Sequence, residues 1–283
     1  MKPLYYGCHV SSSGGLVNAI QNAEELSVNA IQLHPAPPQR WNFKPFAPGI
    51  EDQFIEARLK SKVAKVFFHG IYLINLASPD QDLHSRSKSS LAYYLDLLKR
   101  LNGDGVIFHV GSLKDEADEK VGYARAADAI NWALDKSDNG ARLILEVAAG
   151  SGRVIGSRLE ELAEIYQRVD NKNRVGFGLD SQHMWASGYN FRNDLETILN
   201  QVEQVFKLDK VWAIHLNDSK TECGSRKDRH ENIGEGLIGE EAMKKLFLHP
   251  RLHNIPFILE TPGLKSFDSA LVEVNKLRNM AVD

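Results

Sequence analysis

Short apolar runs alternate along this chain with longer stretches whose apolar residues recur at helical spacing. The runs are LYYGCHV (4–10), AIQLH (30–34), KVFFHG (65–70), GVIFHV (105–110), RLILEV (142–147), VGFGLD (175–180), VWAIHLND (211–218) and PFILET (256–261). Each has strand length and several are rich in Val, Ile and Phe, so they read as strands buried on both faces, as in a parallel sheet. Between them, residues 15–26, 87–101, 119–136, 157–169, 193–206 and 240–247 carry leucine and alanine on one helical face and charges on the other. Eight strands with intervening helices over 283 residues predict an α/β fold, a (β/α)8 TIM barrel. A doubly wound open sheet is the alternative. No G-x-G-x-x-G follows the first run, which leaves a dinucleotide-binding fold little support. No repeat, low-complexity tract or linker interrupts the pattern, so residues 1–283 are expected to form a single domain.

Composition narrows this picture a little. Hydrophobic residues make up 43% and charged residues 25%, enough to fill a sizeable core. The net charge of −3 excludes a uniformly basic nucleic-acid coat but not a local basic face. Two cysteines, Cys8 and Cys223, are too few for a disulfide framework and stand in no C-x-x-C pair; two reduced thiols in a cytoplasmic protein are expected. The first fifteen residues hold one lysine and no long apolar stretch, so no signal peptide is expected. No run approaches the roughly 18 apolar residues of a membrane span.

The ends of the runs carry the chemistry. The third ends in His69 and the fourth in His109; the fifth carries Glu146, the sixth Asp180, the seventh His215 and the eighth Glu260. In a (β/α)8 barrel these ends converge on one face, where active sites form. His183 follows three residues after Asp180, and Asp228 and His230 fall in the segment after run seven. Imidazoles and carboxylates both suit zinc or manganese. Nine such groups crowded together without cations would repel and shift one another's pKa values. They are too many for one tetrahedral ion and suit two or three with a bridging carboxylate. Cations about 3.5–4 Å apart can clamp the attacking and leaving oxygens of a phosphoryl displacement. Singly, each has a plainer reading: a strand-end His packs by hydrogen bonding, an Asp after a strand caps a helix, and Glu260 forms half an ion pair. Together at one face, the metal reading is preferred. His9 is expected either to support a ligand from behind or to pack. His34, followed by proline, is not expected to be a ligand, and His84, His249 and His253 are expected on the surface.

The segments GCHVSSSGGL (7–16), HGIYLINLA (69–77), FHVGS (108–112), LEVAAGSG (145–152), LDSQHMWASGY (179–189), HLNDSK (215–220), GSRKDRHENIGEGLIG (224–239) and LET (259–261) go further. In order, over nearly the whole chain and most specifically in DRHENIGEG, the sequence resembles the endonuclease IV family of apurinic/apyrimidinic endonucleases. The resemblance implies a barrel with about three zinc ions, manganese replacing zinc in part. It implies a base excision repair enzyme that cleaves damaged double-stranded DNA 5′ to an abasic site, leaves a 3′-hydroxyl and has 3′-diesterase activity. By the same resemblance, His69, His109 and Glu146 hold one ion. Glu146 bridges to a second held by Asp180, His215 and Glu260, and His183, Asp228 and His230 hold the third. Glu146, His109 and His183 act most directly in catalysis, water activated by the ions attacks phosphorus, and no protein nucleophile is needed.

For DNA contacts the resemblance points to Tyr72 and Leu73, which match a loop that penetrates DNA, and to Gln39, Arg40 and Arg229. The segment HPAPPQRW (34–41) departs from the family, with proline for polar residues and Gln39 and Arg40 exchanged in order. Ser151 stands where glutamine is usual, and Gln182 where cysteine is common. These changes surround the metal positions without touching the ligands. Arg40, Lys44, Arg153, Arg158, Lys220, Arg226, Lys227 and Arg229 follow strands and are expected to form a basic crescent on the catalytic face. A monomer with no obligatory protein partner and no membrane contact is expected. The competing reading is a divalent-metal sugar isomerase or epimerase, which resembles this chain in Glu146, Asp180, His215 and Glu260 but has no need of the other five ligands.

Overall fold

Each apolar run becomes one strand of a closed parallel barrel. The computed structural model describes residues 3–35, 37, 39–41, 45–137 and 140–281. The barrel strands are β1 (Tyr6–His9), β2 (Ala30–Leu33), β3 (Lys65–His69), β4 (Gly105–Phe108), β5 (Leu143–Glu146), β6 (Val175–Asp180), β7 (Val211–His215) and β8 (Phe257–Leu259). Every strand pairs in parallel with its neighbours in sequence, and β8 closes on β1. The connections run through α1 (Asn18–Glu25), α2 (Ile50–Lys60), α3 (Gln81–Arg100), α4 (Glu119–Lys136), α5 (Leu159–Gln167), α6 (Ser181–Ala186), α7 (Phe191–Val205) and α8 (Glu240–Phe247), and α9 (Phe267–Met280) follows β8. Parallel neighbours require such crossovers, and helices on the outside bury the outer faces of the strands.

Two layers of core result. Inside the barrel, Phe67, Ile107, Ile144, Ala213 and Ile258 form a separate buried plug. Outside it, a larger cluster joins strands to helices, including the stacked rings of Phe177 and Phe206, 3.7 Å apart. The plug closes the barrel from below, so the polar side chains at the strand ends sit on a packed apolar floor.

Several features lie outside the expected pattern, among them α6 and α9, which none of the expected helical stretches covers. α2 buries only Phe54 and lacks a clear apolar stripe. α3 starts at Gln81, six residues before the expected 87, because the Asp80 carboxylate accepts from the N–H groups of Asp82 and Leu83 and caps the helix there. The seventh run breaks after His215; Asp218–Ser219 turns into a short antiparallel hairpin with His230–Glu231. The three histidines expected on the surface are instead half-buried. His84 faces the Arg125 carbonyl, and His249 pairs with Glu196 at 2.8 Å and caps a turn. His253 keeps Nδ1 buried. Among the described residues no helix is long and apolar enough to cross a membrane.

Candidate metal centre

Strand register brings the candidates together. His69, Glu146, Asp180 and His215 are the last residues of β3, β5, β6 and β7, while His109 and Glu260 follow β4 and β8 by one residue. Asp180 lies level with His215 across β6 and β7. Asp180 also caps α6 by accepting from the His183 N–H at 2.8 Å, which turns His183 back into the same mouth. His230 arrives through the hairpin, and Asp228 lies two residues before it. His69, Glu146, Asp180, His183 and His215 are buried, His109, His230 and Glu260 half-buried, and Asp228 exposed.

The side chains form overlapping groups whose ligand atoms lie within 4.8 Å of one another: His69–His109–Glu146, Glu146–Asp180–His215–Glu260, and Asp180–His183–His230. Glu146 and Asp180 each belong to two groups. Asp228 also joins the last group, with one carboxylate oxygen 3.4 Å from His183 Nε2 and the other 3.3 Å from His230 Nε2. The two Nε2 atoms are 3.4 Å apart. Glu146 Oε2 lies 3.3 Å from His69 Nε2 and 3.4 Å from His109 Nε2. A tetrahedral zinc site with arms of about 2.0–2.1 Å has edges of about 3.3–3.4 Å, so these spacings fit a divalent cation between the atoms. The remaining group is less regular: His215 Nδ1 is 2.8 Å from Glu146 Oε1, 3.1 Å from Glu260 Oε2 and 3.7 Å from Asp180 Oδ2.

The second nitrogen of most of these rings is tied to an oxygen, which fixes the tautomer. Nδ1 of His69, His183 and His230 faces the carbonyls of Gly70, Val147 and Glu260 at 2.8, 3.1 and 3.2 Å, which leaves Nε2 free to face the cluster. His215 is reversed: its Nε2 donates to Gln32 Oε1 at 2.8 Å and Nδ1 faces the carboxylates. His109 is the exception, with a buried Nδ1 that has no partner among the described residues.

Charge balance points the same way. Burial alone would raise the Glu146 carboxyl, but the imidazoles of His109, His215 and His183 hold it well below the usual range. Burial also works against charge on His215 and His183. Glu260 and Glu146 nevertheless lift His215 to about 9, and Asp180, Asp228 and Glu146 lift His183 well above its ordinary value. Against burial, His215 and His69 hold the Glu260 carboxyl down to about 2. Ionised carboxylates facing protonatable imidazoles in a buried pocket make a site that exchanges protons for cations.

The residues that hold the candidate ligands in place were not anticipated from the sequence. Gln32, a polar residue within the apolar run of β2, donates to Glu260 Oε1 and to His9 Nδ1 while accepting from His215. His9 therefore touches Gln32 rather than a ligand directly, and His34, not a candidate ligand, faces the His69 carbonyl. Asn217 donates to Asp180 Oδ2 and accepts the Glu260 N–H, both at 2.7 Å. A polar side chain inside an otherwise apolar run was the available signal for Gln32.

A cleft of about 480 Å³ opens beside the cluster, lined by Trp41, Tyr72, Leu73, His109, His183 and Asp228 among others. Tyr72 and Leu73 project at its edge, 64% and 37% exposed. Gln39, Arg40 and Arg229 are exposed. Lys220 lies 3.8 Å from Glu231, and Lys44 falls outside the described residues.

Residues 20–278 match the family model described as a xylose isomerase-like TIM barrel. A protein of Halothermothrix orenii named "Probable endonuclease 4" is 37% identical over 274 residues, 96% of this chain and 98% of that one. The crystal structure of endonuclease IV from Thermus thermophilus matches with a TM-score of 0.87 and 30% identity over 98% of both chains. A D-tagatose 3-epimerase-like protein matches with a TM-score of 0.75 over 98% of this chain and 97% of its own, at 17% identity, which is likeness of fold alone.

Proposed function

This chain belongs to the endonuclease IV family of apurinic/apyrimidinic endonucleases, and on that premise we propose that it hydrolyses the phosphodiester 5′ to abasic sites in duplex DNA and leaves a 3′-hydroxyl. The same site would remove blocking groups from 3′ ends. The observation that carries this reading is the joining of nine imidazoles and carboxylates into one continuous cluster through Glu146 and Asp180. An isomerase or epimerase has no use for His69, His109, His183, Asp228 and His230 beyond its own core, and that surplus favours the nuclease.

We assign the ligands as three sets: His69, His109 and Glu146; Glu146, Asp180, His215 and Glu260; and His183, His230 and Asp228, with Asp180 close to the last set. About three zinc ions would occupy them, with manganese an acceptable substitute at the more oxygen-rich positions. Bound divalent cations supply Lewis-acid stabilisation of phosphoryl oxygens and water activation near neutral pH. The protein's part is positional. Gln32 orients His215 and Glu260, Asn217 orients Asp180, and the carbonyls of Gly70 and Val147 orient His69 and His183. Tyr72 and Leu73 stand at the cleft edge to enter the gap that a missing base leaves, where little stacking is lost. Gln39 and Arg40, exposed in the segment after β2, would enter the DNA beside them, and Arg229 is exposed for a phosphate contact.

The test is incubation of the holoenzyme with abasic, 3′-blocked and undamaged duplexes, with product ends mapped. Nicking 5′ to the lesion, abolished by chelator and by Glu146→Gln, is expected. Chelator-resistant nicking, or full activity of E146Q, would overturn the assignment.

A further inference from the structure

Beside the metal cleft, three arginines close on one polar crevice of about 230 Å³. Arg153, Arg158 and Arg226 line it, with Glu119 and Glu161 as the acidic members. Arg158 is matched, 3.2 Å from Glu119 and 3.0 Å from Glu161. Among the described residues, Arg153 donates only to the Lys114 carbonyl and Arg226 has no carboxylate partner. Three guanidinium groups against two carboxylates leave one uncompensated positive charge, the complement of a single phosphodiester.

The backbone is built around this opening. Arg226 is held at φ 55°, in the left-handed region unusual for a residue with a side chain, and its N–H donates to the Ala186 carbonyl at 2.9 Å. Ala186 ends α6, whose first turn carries His183, so the Arg226 backbone is fixed relative to the metal cluster. Gly150, at φ 80°, forms part of the wall; a Cβ there would stand 3.3 Å from Ser187 Oγ and 3.6 Å from Arg226 Cγ. Val154 lines both this crevice and the cleft that contains His109, His183 and Asp228.

We propose that the Arg153–Arg158–Arg226 crevice binds one backbone phosphodiester of the DNA strand, adjacent to the phosphodiester in the metal cleft. This rests on the endonuclease reading for its substrate. Arg153 and Arg226 bind the phosphate, and Arg158, tethered to both glutamates, sets the rim.

The experiment measures kcat/KM of the holoenzyme on an abasic duplex, and anisotropy with an uncut, undamaged duplex, across a salt series. Arg226→Gln is expected to lower kcat/KM about tenfold near 0.1 M salt and to flatten the log–log salt slope by about 0.9, the contribution of one phosphate contact. R226K is expected to restore the slope. The double variant R153Q/R226Q is expected to lose no more slope than either single variant, because both serve one phosphate. Inorganic phosphate at millimolar concentration is expected to compete with the wild type more than with R226Q. Unchanged slope and affinity in correctly folded R226Q, or a double variant that loses about two units, overturns the shared site. Wild-type enzyme that nicks nothing would sink the parent reading instead, and the anisotropy arm would still decide this one.

Discussion

Gln32 Oε1 accepts a 2.8 Å hydrogen bond from His215 Nε2, across 183 residues of sequence. The bond fixes which nitrogen of His215 carries the proton and turns Nδ1 toward Glu146 and Glu260. Through Nε2 the same amide holds Glu260. Outer partners of this kind typically tune metal affinity by 10–100-fold. Gln32→Ala is expected to weaken the cation held by His215 and Glu260 by about that factor while the barrel stays folded. Competition against a chromophoric chelator measures it; affinity equal to wild type would remove Gln32 from the site.

Proton exchange gives a second prediction. Despite burial, nearby carboxylates raise His215 to about 9 and lift His183 and His69 above their ordinary value. Such groups stabilise the metal-free fold fully below about pH 6.5, and that contribution is lost as pH rises through about 9. Cations need the unprotonated rings. Metal affinity is therefore expected to rise between pH 6.5 and 9, and loading at pH 7 is expected to release protons. Zinc titration of chelated protein in weak buffer with an indicator dye reads this directly. Proton-neutral binding would contradict it.

These two cases show what the sequence made legible. Buried ionisable groups are expensive, so His69, Glu146 and Asp180 at the ends of apolar runs stood out, and barrel geometry put them at one mouth. Gln32 and Asn217 carry no charge, and their roles depend on partners far away in sequence. α2 escaped because it buries so little, and the hairpin at Asp218 because it is only two residues deep on each side. The placement of Asp228 beside His183 and His230 comes from that hairpin and has no signature in local periodicity.

The hairpin loop has its own anchor. The buried Asp218 carboxylate accepts N–H groups of Ser219, Gly234, Gly236, Ile238 and Gly239 at 2.8–3.3 Å. Asp218→Asn turns one acceptor toward those donors as an amide and is expected to cost roughly 2–4 kcal/mol. At about 2–4 °C per kcal/mol, that lowers Tm by roughly 5–15 °C. Gly236→Ala should act similarly, since its Cβ would meet Asp218 Oδ1 and the Ser219 carbonyl at 2.5 Å. Calorimetry checks the loss, and amide exchange confined to residues 228–239 locates it. Wild-type stability in both variants would show that the loop is held elsewhere.

Tyr72 and Leu73 make the opposite case. Both are substantially exposed, and the Tyr72 ring rests 5.8 Å from that of His69 and 5.7 Å from that of His34. Removing exposed side chains costs a fold little, usually within about 0.5 kcal/mol. Their value would lie in the complex, where aromatic stacking on a base contributes about 1–3 kcal/mol. Tyr72→Ala is therefore expected to keep Tm and metal content while lowering kcat/KM on an abasic duplex by about 5–100-fold. A short single-stranded abasic substrate, with no opposite strand to displace, should lose less. If Y72A loses metal, the residue belongs to the cluster; if it cuts duplex and single strand with equal deficit, the ring does not enter the helix.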